Sequence, residues 1–507
     1  MALREEPPEG GTTNTGSRLK AELRTDFYSR PIPNSFVPIP NPLIPNPSPP
    51  VSTKKKIAKR TYALISLGCP KNWVDSERMA GLLQLDGYRM TQNPDGAELV
   101  VINTCGFIGD ARRESHDTIQ EMLELKKRGR VGRVIVTGCL AERDKESLLE
   151  QHPDIDQLIG VFARDEIAIA VKRLDRGENE QRALFRPAPS RPLSDLGRQR
   201  ITLRHLAFLK IAEGCNRLCS FCSIPLMRGP YASKPIEQVV AEAKELAADG
   251  VKELVLVAQD TTFYGLDLDG KPQLAPLLRA LEEIDGLAWI RLMYLYPMHI
   301  TDELIEVIAG SRKVLPYLDI PLQHINDQVL ERMRRRVNRA DTEALIDRLR
   351  ERIDSLVLRT TMLVGFPGET EEQFEELVEF VERRRFERVG VFAYCSEPGT
   401  SSMELDGHLP EEVKRIRRDR LMTIQQEIAF SWNASQVGKQ LDMIIDRGIS
   451  GESNAYVGRS YADAPEVDGE VYITGKDLRP GQIVPCEIVA AQGYDLIAVC
   501  QAVRGRE

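Results

Sequence analysis

The chain has 507 residues, of which 42% are hydrophobic and 28% are charged, and its formal net charge is −8. One hydrophobic core rarely organises so long a chain, so we expect two to four domains. The acidic balance argues against a general nucleic-acid binder, and no apolar run reaches the ~18 residues of a membrane-spanning helix. The first residues include Glu5 and Glu6 and lack an apolar core, which argues against a targeting signal and predicts a cytoplasmic protein.

Residues 1–56 are predicted to form a disordered, proline-rich extension. Nine of the twenty residues from Pro31 to Pro50 are proline. This composition favours extended polyproline conformations over helices and strands. A flexible tail is the simplest interpretation, and a docking role is the alternative.

An α/β pattern follows over residues 61–172. Three apolar runs, at Tyr62–Ser66, Leu99–Ile102 and Val134–Val136, alternate with stretches of helical periodicity. Continuous apolar strands that alternate with helices are typical of a parallel sheet covered on both faces. We therefore predict an N-terminal parallel-sheet α/β domain, followed by a charged, proline-containing linker at residues 173–204.

The alternation of strands and helices restarts over residues 205–436, where six apolar runs each precede a helical pattern. These predicted strands are Phe208–Ala212, Glu253–Ala258, Trp289–Leu295, Tyr317–Ile320, Leu356–Val364 and Val389–Ala393. Because eight such units close the usual barrel, six units predict an incomplete (βα)6 barrel.

Residues 437–507 contain short β patterns separated by Gly, Asp and Pro turns, which predict a small all-β barrel. This segment has seven basic and eleven acidic residues, a net charge of −4. A surface of that sign repels phosphate and attracts a basic protein. We therefore expect Asp463, Glu466 and Asp468 to steer a basic protein substrate, and a role in solubility alone is the alternative.

Cys215, Cys219 and Cys222 have CxxxCxxC spacing directly after the first strand of the second series. A loop this compact can direct all three thiolates at one metal cluster. Three thiolates on a four-iron cube leave one iron without a protein ligand, and an open position can bind and activate a small molecule. A zinc site, which usually has four closed ligands, and a simple electron carrier are the alternatives.

Cys69, Cys105 and Cys139 are scattered along the sequence, but each follows a predicted strand and adjoins a glycine. The carboxyl ends of parallel strands lie at one edge of a sheet, where such sheets place their ligands. We therefore predict that these thiols converge on a second cluster, although free cysteines are also common as buried small residues. The remaining cysteines are assigned to packing: Cys395, Cys486 and Cys500.

Together these motifs resemble those of a known enzyme family. A CxxxCxxC loop after the first strand of an incomplete barrel is similar to the radical S-adenosylmethionine superfamily. The sequence from Tyr62 onward resembles the methylthiotransferase family within it, which joins an N-terminal α/β domain, a radical barrel and a C-terminal TRAM barrel. The resemblance implies two 4Fe–4S clusters, one ligated by Cys215, Cys219 and Cys222 and one by Cys69, Cys105 and Cys139.

The resemblance also implies the reaction. S-adenosyl-L-methionine would bind the open iron of the barrel cluster and be cleaved to methionine and a 5′-deoxyadenosyl radical. A second molecule would donate the methyl of a methylthio group that is inserted into an unactivated C–H bond. This chemistry implies a low-potential electron donor and a sulfur donor as partners, and no membrane. Phe221 resembles the family's aromatic contact to adenine, and Val364–Glu369 its nucleoside-pocket segment, so Phe221, Gly365 and Glu369 are candidate cofactor-binding residues.

Within the family, the sequence most resembles the branch that modifies an aspartate of small-subunit ribosomal protein uS12. Pro70, Lys71 and Asn72 follow the first cysteine, where the enzymes that modify tRNA adenosines typically carry Gln-Met-Asn. The segment Arg459–Gly469 also matches that branch. The resemblance therefore implies uS12 or the ribosome as substrate. A tRNA adenosine methylthiotransferase is the main alternative, and a non-catalytic iron–sulfur carrier is the more distant one.

Three polar residues, Gln259, Asp260 and His324, lie at or just after predicted strand ends of the barrel. Loops at this edge of a barrel are where function concentrates. We predict that these residues line the substrate pocket. Capping of turns is the alternative role for each of them.

Overall fold

The computed structural model describes residues 57–178 and 180–500. The predicted proline-rich extension, residues 1–56, lies outside the described residues. Three units follow one another along the described sequence: an α/β sheet, a second open α/β sheet and a small closed β-barrel. Within these ranges, no helix is both long and apolar enough to cross a membrane.

The N-terminal unit is a six-stranded parallel sheet in the order β2-β1-β3-β4-β5-β6. Its strands are β1 Ala58–Ser66, β2 Arg89–Met90, β3 Ala97–Thr104, β4 Arg133–Gly138, β5 Gln157–Ile159 and β6 Ala183–Leu184. Its helices are α1 Pro70–Leu85, α2 Gly109–Lys127, α3 Cys139–Asp144, α4 Glu146–Gln151 and α5 Ile167–Asp175. Helices cover both faces and bury a separate apolar cluster on each, which the continuous apolar strands predicted.

Part of the segment predicted as a linker belongs to this sheet. β6 lies within residues 173–204 and pairs in parallel with β5. A strand of two residues is too short to show a periodicity in the sequence, so pattern analysis misses it. Farther along the segment, buried Asp195 pairs with Arg164 of the N-terminal unit and Lys234 of the barrel, each at 2.6 Å. The segment therefore packs between the two units.

The second unit is the predicted incomplete barrel, an open parallel sheet in the order β14-β13-β12-β11-β10-β7. A short antiparallel pair, β8 with β9, lies beside it. The strands are β7 Leu206–Lys210, β8 Ala212–Glu213, β9 Ala232–Ser233, β10 Glu253–Val257, β11 Trp289–Leu292, β12 Val314–Asp319, β13 Val357–Val364 and β14 Arg388–Ala393. The helices are α6 Ile224–Arg228, α7 Ile236–Ala248, α8 Leu266–Asp269, α9 Leu274–Glu282, α10 Asp302–Gly310, α11 Asp327–Arg332, α12 Arg339–Arg352, α13 Glu371–Arg384 and α14 Glu411–Ala434.

The third unit is a closed five-stranded barrel in the order β15-β16-β17-β19-β18. Its strands are β15 Gln440–Gly448, β16 Ala455–Arg459, β17 Val471–Thr474, β18 Ile483–Gln492 and β19 Asp495–Cys500. The predicted small all-β barrel is confirmed. Cys486 and Cys500, assigned to packing alone, face each other on β18 and β19 and form a disulfide.

The segment of the third unit that carries Asp463, Glu466 and Asp468 packs against the (βα)6 barrel. Asp463 is buried and pairs with Arg388 at 3.0 Å, and Asp468 lies 3.7 Å from Arg359 with a side chain that is 4% exposed. Glu466 is exposed. The expectation that all three acids steer a substrate is therefore wrong for Asp463 and Asp468. Their partners Arg359 and Arg388 lie on β13 and β14. The net charge counted over residues 437–507 therefore did not include them.

Candidate active site

The scattered cysteines lie at the carboxyl ends of three adjacent strands. β1, β3 and β4 are neighbours in the sheet and end side by side, since Ser66 pairs with Asn103 and Thr104 pairs with Gly138. Cys69 precedes the first residue of α1, Cys105 directly follows β3, and Cys139 is the first residue of α3. The sheet topology thus brings together three residues that are 36 and 34 positions apart in the sequence.

The three sulfur atoms are within electrostatic reach of one another. Burial raises the pKa of the Cys105 thiol, and charge on Cys139 and Cys69 raises it further. Burial likewise raises the pKa of Cys139, against the opposing influence of the Arg228 guanidinium. The three cysteines follow neighbouring strand ends, and we call them the sheet triad. That they hold one cluster stays a prediction.

Glycines next to the sheet triad permit its close packing. Gly68 has φ +84°, and a Cβ there would lie 2.9 Å from Cys105 Sγ. Gly138 has φ +94°, and a Cβ there would lie 2.2 Å from Asn103 Oδ1. Any larger residue would combine an unfavourable backbone conformation with a steric clash. The structure therefore explains why glycine precedes Cys69 and Cys139 in the sequence.

The second set, the loop triad, consists of Cys215, Cys219 and Cys222 in the loop after β8. The backbone N–H of Arg217 donates to Cys215 Sγ at 3.3 Å, and the N–H of Cys222 donates to the Cys219 carbonyl at 3.1 Å. Burial raises the pKa of Cys215 to about 11. Burial also raises the pKa of Cys222, and charge on Cys219 and Cys215 adds to that rise. The three sulfurs therefore come from one short loop.

The two triads face each other across the contact between the N-terminal unit and the barrel. Helix α6 begins two residues after Cys222 and ends at Arg228, whose Nε–H donates to Cys139 Sγ at 3.3 Å. The Ser223 hydroxyl donates to the carbonyl of Phe107 at 3.3 Å, close to Cys105 in the sequence. The loop that follows one triad thus directly contacts the segment that carries the other.

Buried ion pairs fix this contact. Arg228 is 2% exposed and pairs with Asp75 at 2.8 Å and with Glu213 at 3.3 Å. Lys210 also pairs with Asp75, at 2.6 Å. Burial alone would raise the pKa of Asp75, but Lys210, Arg164 and Arg228 hold it well below its usual range. Sequence analysis missed this network, although a lysine at the end of the apolar run of β7 was an available signal.

The donor sets fit iron–sulfur clusters better than single ions. In the described part of the protein, no group of three or more His, Cys, Asp or Glu side chains is close enough to hold one metal ion. In a four-iron cluster each thiolate binds a different iron, so the sulfurs lie farther apart than the ligands of one ion. Three thiolates from one triad match a four-iron cluster with one open iron, whereas a structural zinc site takes four ligands.

The predicted cofactor-binding segments contact each other. The rings of Phe221 and Phe366 meet edge to face, with centroids 6.4 Å apart. Gly365 has φ +71°, which allows the turn after β13. Glu369 is buried, pairs with Arg417 at 2.7 Å and accepts the backbone N–H of Phe366 at 3.2 Å. Contact of Phe221, Gly365 and Glu369 with a cofactor stays a prediction, and the Glu369 carboxylate already has protein partners.

The predicted substrate-binding residues differ in how fully they are engaged. The Asp260 carboxylate accepts Nε–H of Arg217 at 2.7 Å and caps the 3-10 turn Thr261–Phe263. His324 is 1% exposed, and burial lowers its pKa to about 3. Gln259 donates to Glu213 at 3.4 Å, and its buried Oε1 has no hydrogen-bond partner among the described residues. Contact of all three with substrate stays a prediction.

Lys71 belongs to this site although the sequence singled it out only as part of a motif. It is the second residue of α1, and its Nζ lies 3.8 Å from the centre of the Tyr294 ring. The same ammonium donates to the carbonyl of Ala258 at 3.3 Å. Ala258 directly follows β10 and Tyr294 lies just after β11, so the start of α1 meets the carboxyl edge of the barrel.

Family models match all three units. Residues 61–160 match the Uncharacterized protein family UPF0004, residues 209–381 match the Radical SAM superfamily, and residues 437–500 match the TRAM domain. Among solved structures, the radical S-adenosylmethionine methyltransferase TsrM from Kitasatospora setae has a TM-score of 0.49 and 17% identity, covering 66% of this chain and 73% of that chain.

Relatives match almost all of the described residues. The ribosomal protein uS12 methylthiotransferase RimO of Thermoanaerobacter sp. is 47% identical over 441 residues, which cover 86% of this chain and 99% of the relative. The chain belongs to the RimO family. RimO of Pelotomaculum thermopropionicum is 46% identical over 436 residues, which cover 85% of this chain and 97% of that relative.

Membership of the RimO family confirms several predictions. The protein is a radical S-adenosylmethionine methylthiotransferase, and its cofactors are S-adenosyl-L-methionine and 4Fe–4S clusters. The predicted fold class, an α/β unit followed by a radical barrel and a TRAM barrel, is confirmed as well. The comparisons favour this enzyme over both a tRNA adenosine methylthiotransferase and an iron–sulfur carrier without enzymatic activity.

Proposed function

We propose that this enzyme inserts a methylthio group into a C–H bond of an aspartate residue in ribosomal protein uS12. The two uS12 methylthiotransferases compared above match this chain over nearly their full length. The structural observation that carries the proposal is the juxtaposition of the two cysteine triads: α6 begins two residues after Cys222 and ends at Arg228, which donates a hydrogen bond to Cys139. Such an arrangement suits a reaction that needs a radical site and a sulfur-binding site side by side.

In this proposal the loop triad holds the 4Fe–4S cluster of the barrel. A cluster held there would supply the electron that cleaves S-adenosyl-L-methionine. The protein fixes the loop from two sides, because Arg217 donates its backbone N–H to Cys215 and its guanidinium pairs with Asp260 at 2.7 Å. The Ser220 hydroxyl adds a hydrogen bond to the Arg332 carbonyl at 2.8 Å. Asp260 thus positions the cluster loop.

Cys69, Cys105 and Cys139 would hold the second 4Fe–4S cluster, which would supply the sulfur chemistry of the reaction. Asn72 ties the ends of two strands together, since its Nδ2 donates to the carbonyls of Leu67 at 2.9 Å and Thr104 at 3.0 Å. Its Oδ1 lies 3.6 Å from Cys139 Sγ. This amide therefore fixes the spacing of the strand ends that carry Cys69 and Cys105.

The reaction requires two further partners. A low-potential electron donor must reduce the barrel cluster, and a sulfur donor must replace the sulfur atom that leaves in each product. The substrate places the enzyme with ribosomes or newly made ribosomal proteins, so we propose a cytoplasmic location. Both free uS12 and uS12 within the ribosome are consistent with the proposal.

A direct competition between substrates tests the proposal. The anaerobically reconstituted enzyme is incubated with reductant, sulfide and S-adenosyl-L-methionine, together with uS12 and a tRNA anticodon stem-loop. Mass spectrometry then locates any methylthio group. The proposal expects modification of one aspartate of uS12 and none of the RNA. Methylthiolated adenosine with unmodified uS12 would contradict it.

A further inference from the structure

Lys71 is a buried cation that makes no ion pair with any residue the structure describes. It is 6% exposed, and its ammonium has one protein acceptor in that range, the carbonyl of Ala258 at 3.3 Å. Neighbouring buried cations behave differently, because Lys210 and Arg228 both pair with Asp75. Burying an ammonium without a counter-ion is costly, so a buried cation is normally paired. The structure thus leaves Lys71 with unused donor capacity.

Lys71 lies at the proposed reaction site, where its remaining N–H groups can donate to a ligand. Lys71 lies two residues after Cys69, in the first turn of the helix that follows this cysteine. Ala258 places the same ammonium at the carboxyl edge of the barrel, where such folds bind their ligands. The α1 amino terminus also begins here, and the helix dipole favours negative charge at that end.

An aromatic ring packs against the Lys71 ammonium. The Tyr294 ring lies 3.8 Å below Nζ, and an aromatic face stabilises a cation without supplying an anion. Tyr294 has φ +60°, a rare conformation for a non-glycine residue. Asp319 Oδ2 fixes it by accepting its backbone N–H at 3.1 Å, and Arg359 in turn pairs with Asp319 at 2.8 Å. Backbone strain of this kind concentrates at ligand-binding sites.

We propose that Lys71 binds the carboxylate of the residue to be modified and thereby makes the enzyme select an acidic side chain. This inference rests on the proposed function, because it takes the substrate to be an aspartate of uS12. It adds the residue that recognises the aspartate. A charge-assisted hydrogen bond from a desolvated ammonium distinguishes a carboxylate from the isosteric amide, since the amide carries no charge.

A two-by-two binding experiment tests Lys71. Anaerobic fluorescence anisotropy measures the Kd of labelled uS12 for the cluster-loaded wild-type enzyme and for Lys71→Met. Each enzyme is titrated with native uS12 and with uS12 whose target aspartate is changed to asparagine. The wild type should bind the native protein about ten- to a hundredfold more tightly than the asparagine form. Lys71→Met should lose this preference and bind both forms with the weaker affinity.

Control variants separate binding from folding and from cluster charge. Lys71→Arg keeps a cation and should retain part of the preference for aspartate. Lys252 also donates to a backbone carbonyl, that of Gly286 at 3.3 Å, but it lies before β10, at the opposite edge of the barrel. Lys252→Met should therefore keep the full preference for aspartate. Iron content of each variant reports whether its clusters are loaded.

Three results would overturn the inference. Equal affinity of the wild type for the two forms of uS12 would exclude recognition of the carboxylate, even if Lys71→Met did not fold. A full preference for aspartate in loaded Lys71→Met would show that Lys71 only balances the charge of the cysteine thiolates. If the enzyme methylthiolates uS12 while either of these results is obtained, only the inference about Lys71 fails and the proposed function stands. If the wild type neither binds nor modifies uS12, the inference and the proposed function both fail.

Discussion

The two cysteine triads present the same donors but are assembled in opposite ways. Cys215, Cys219 and Cys222 lie within one loop, so local backbone geometry gathers them. Cys69, Cys105 and Cys139 come from three strand ends and meet only once the sheet has formed. The ligands of the loop triad therefore come from one short segment, which Asp260 and the Arg332 carbonyl help to position. The sheet triad depends instead on strand register, on glycines at strand ends and on the contact with the barrel.

The largest expected effect comes from removing the loop triad. Changing Cys215, Cys219 and Cys222 together to Ala should reduce S-adenosyl-L-methionine cleavage to background, because no other described residues offer a cluster at the carboxyl edge of the barrel. Product analysis for 5′-deoxyadenosine in the presence of a strong reductant measures this. Cleavage at the wild-type rate would show that the loop does not hold the reactive cluster.

Removing the sheet triad should separate the two halves of the reaction. Changing Cys69, Cys105 and Cys139 to Ala should abolish the methylthiolated product while 5′-deoxyadenosine still forms, because the loop triad is intact. The two products are quantified in the same reaction. Full methylthiolation by this variant would assign these thiols to packing alone.

A smaller effect should follow from disturbing a strand end. Gly138→Ala adds a Cβ 2.2 Å from Asn103 Oδ1 at φ +94°, which should destabilise the sheet triad by about 1 to 3 kcal/mol. Gly129→Ala is the matched control, because Gly129 has φ +69° but no atom within 4 Å of the added Cβ. Thermal unfolding and iron content are compared for the two variants. Equal losses in both would mean that the contact at Gly138 does not matter.

The smallest expected effect concerns the hydrogen bond between Arg228 and Cys139. N–H donors to sulfur stabilise the more negative, reduced cluster, so Arg228→Lys should lower the midpoint potential of the sheet-triad cluster by roughly tens of millivolts. A redox titration followed by electron paramagnetic resonance, in a background without the loop triad, isolates this cluster. Arg164→Lys is the control, because Arg164 also pairs with Asp75 but contacts neither triad. An unchanged potential in Arg228→Lys would exclude a tuning role.

Much of the architecture could be predicted from the sequence because its signals are local or periodic. Apolar runs at β1, β3 and β4 and the six barrel strands indicated two parallel sheets, and the position of cysteines after strand ends indicated the sheet triad. The pairing of Asp463 with Arg388 could not be predicted, since it joins residues 75 positions apart. The same holds for Lys71, whose role depends on Tyr294, a residue from another unit of the fold.

The iron content of three proteins tests the central claim most directly. Wild type, the Ala variant of the sheet triad and the Ala variant of the loop triad are reconstituted in parallel, and iron is measured per protein molecule. If each triad holds one four-iron cluster, the wild type should bind about eight irons and each variant about four. An iron content in either variant equal to that of the wild type would contradict the account.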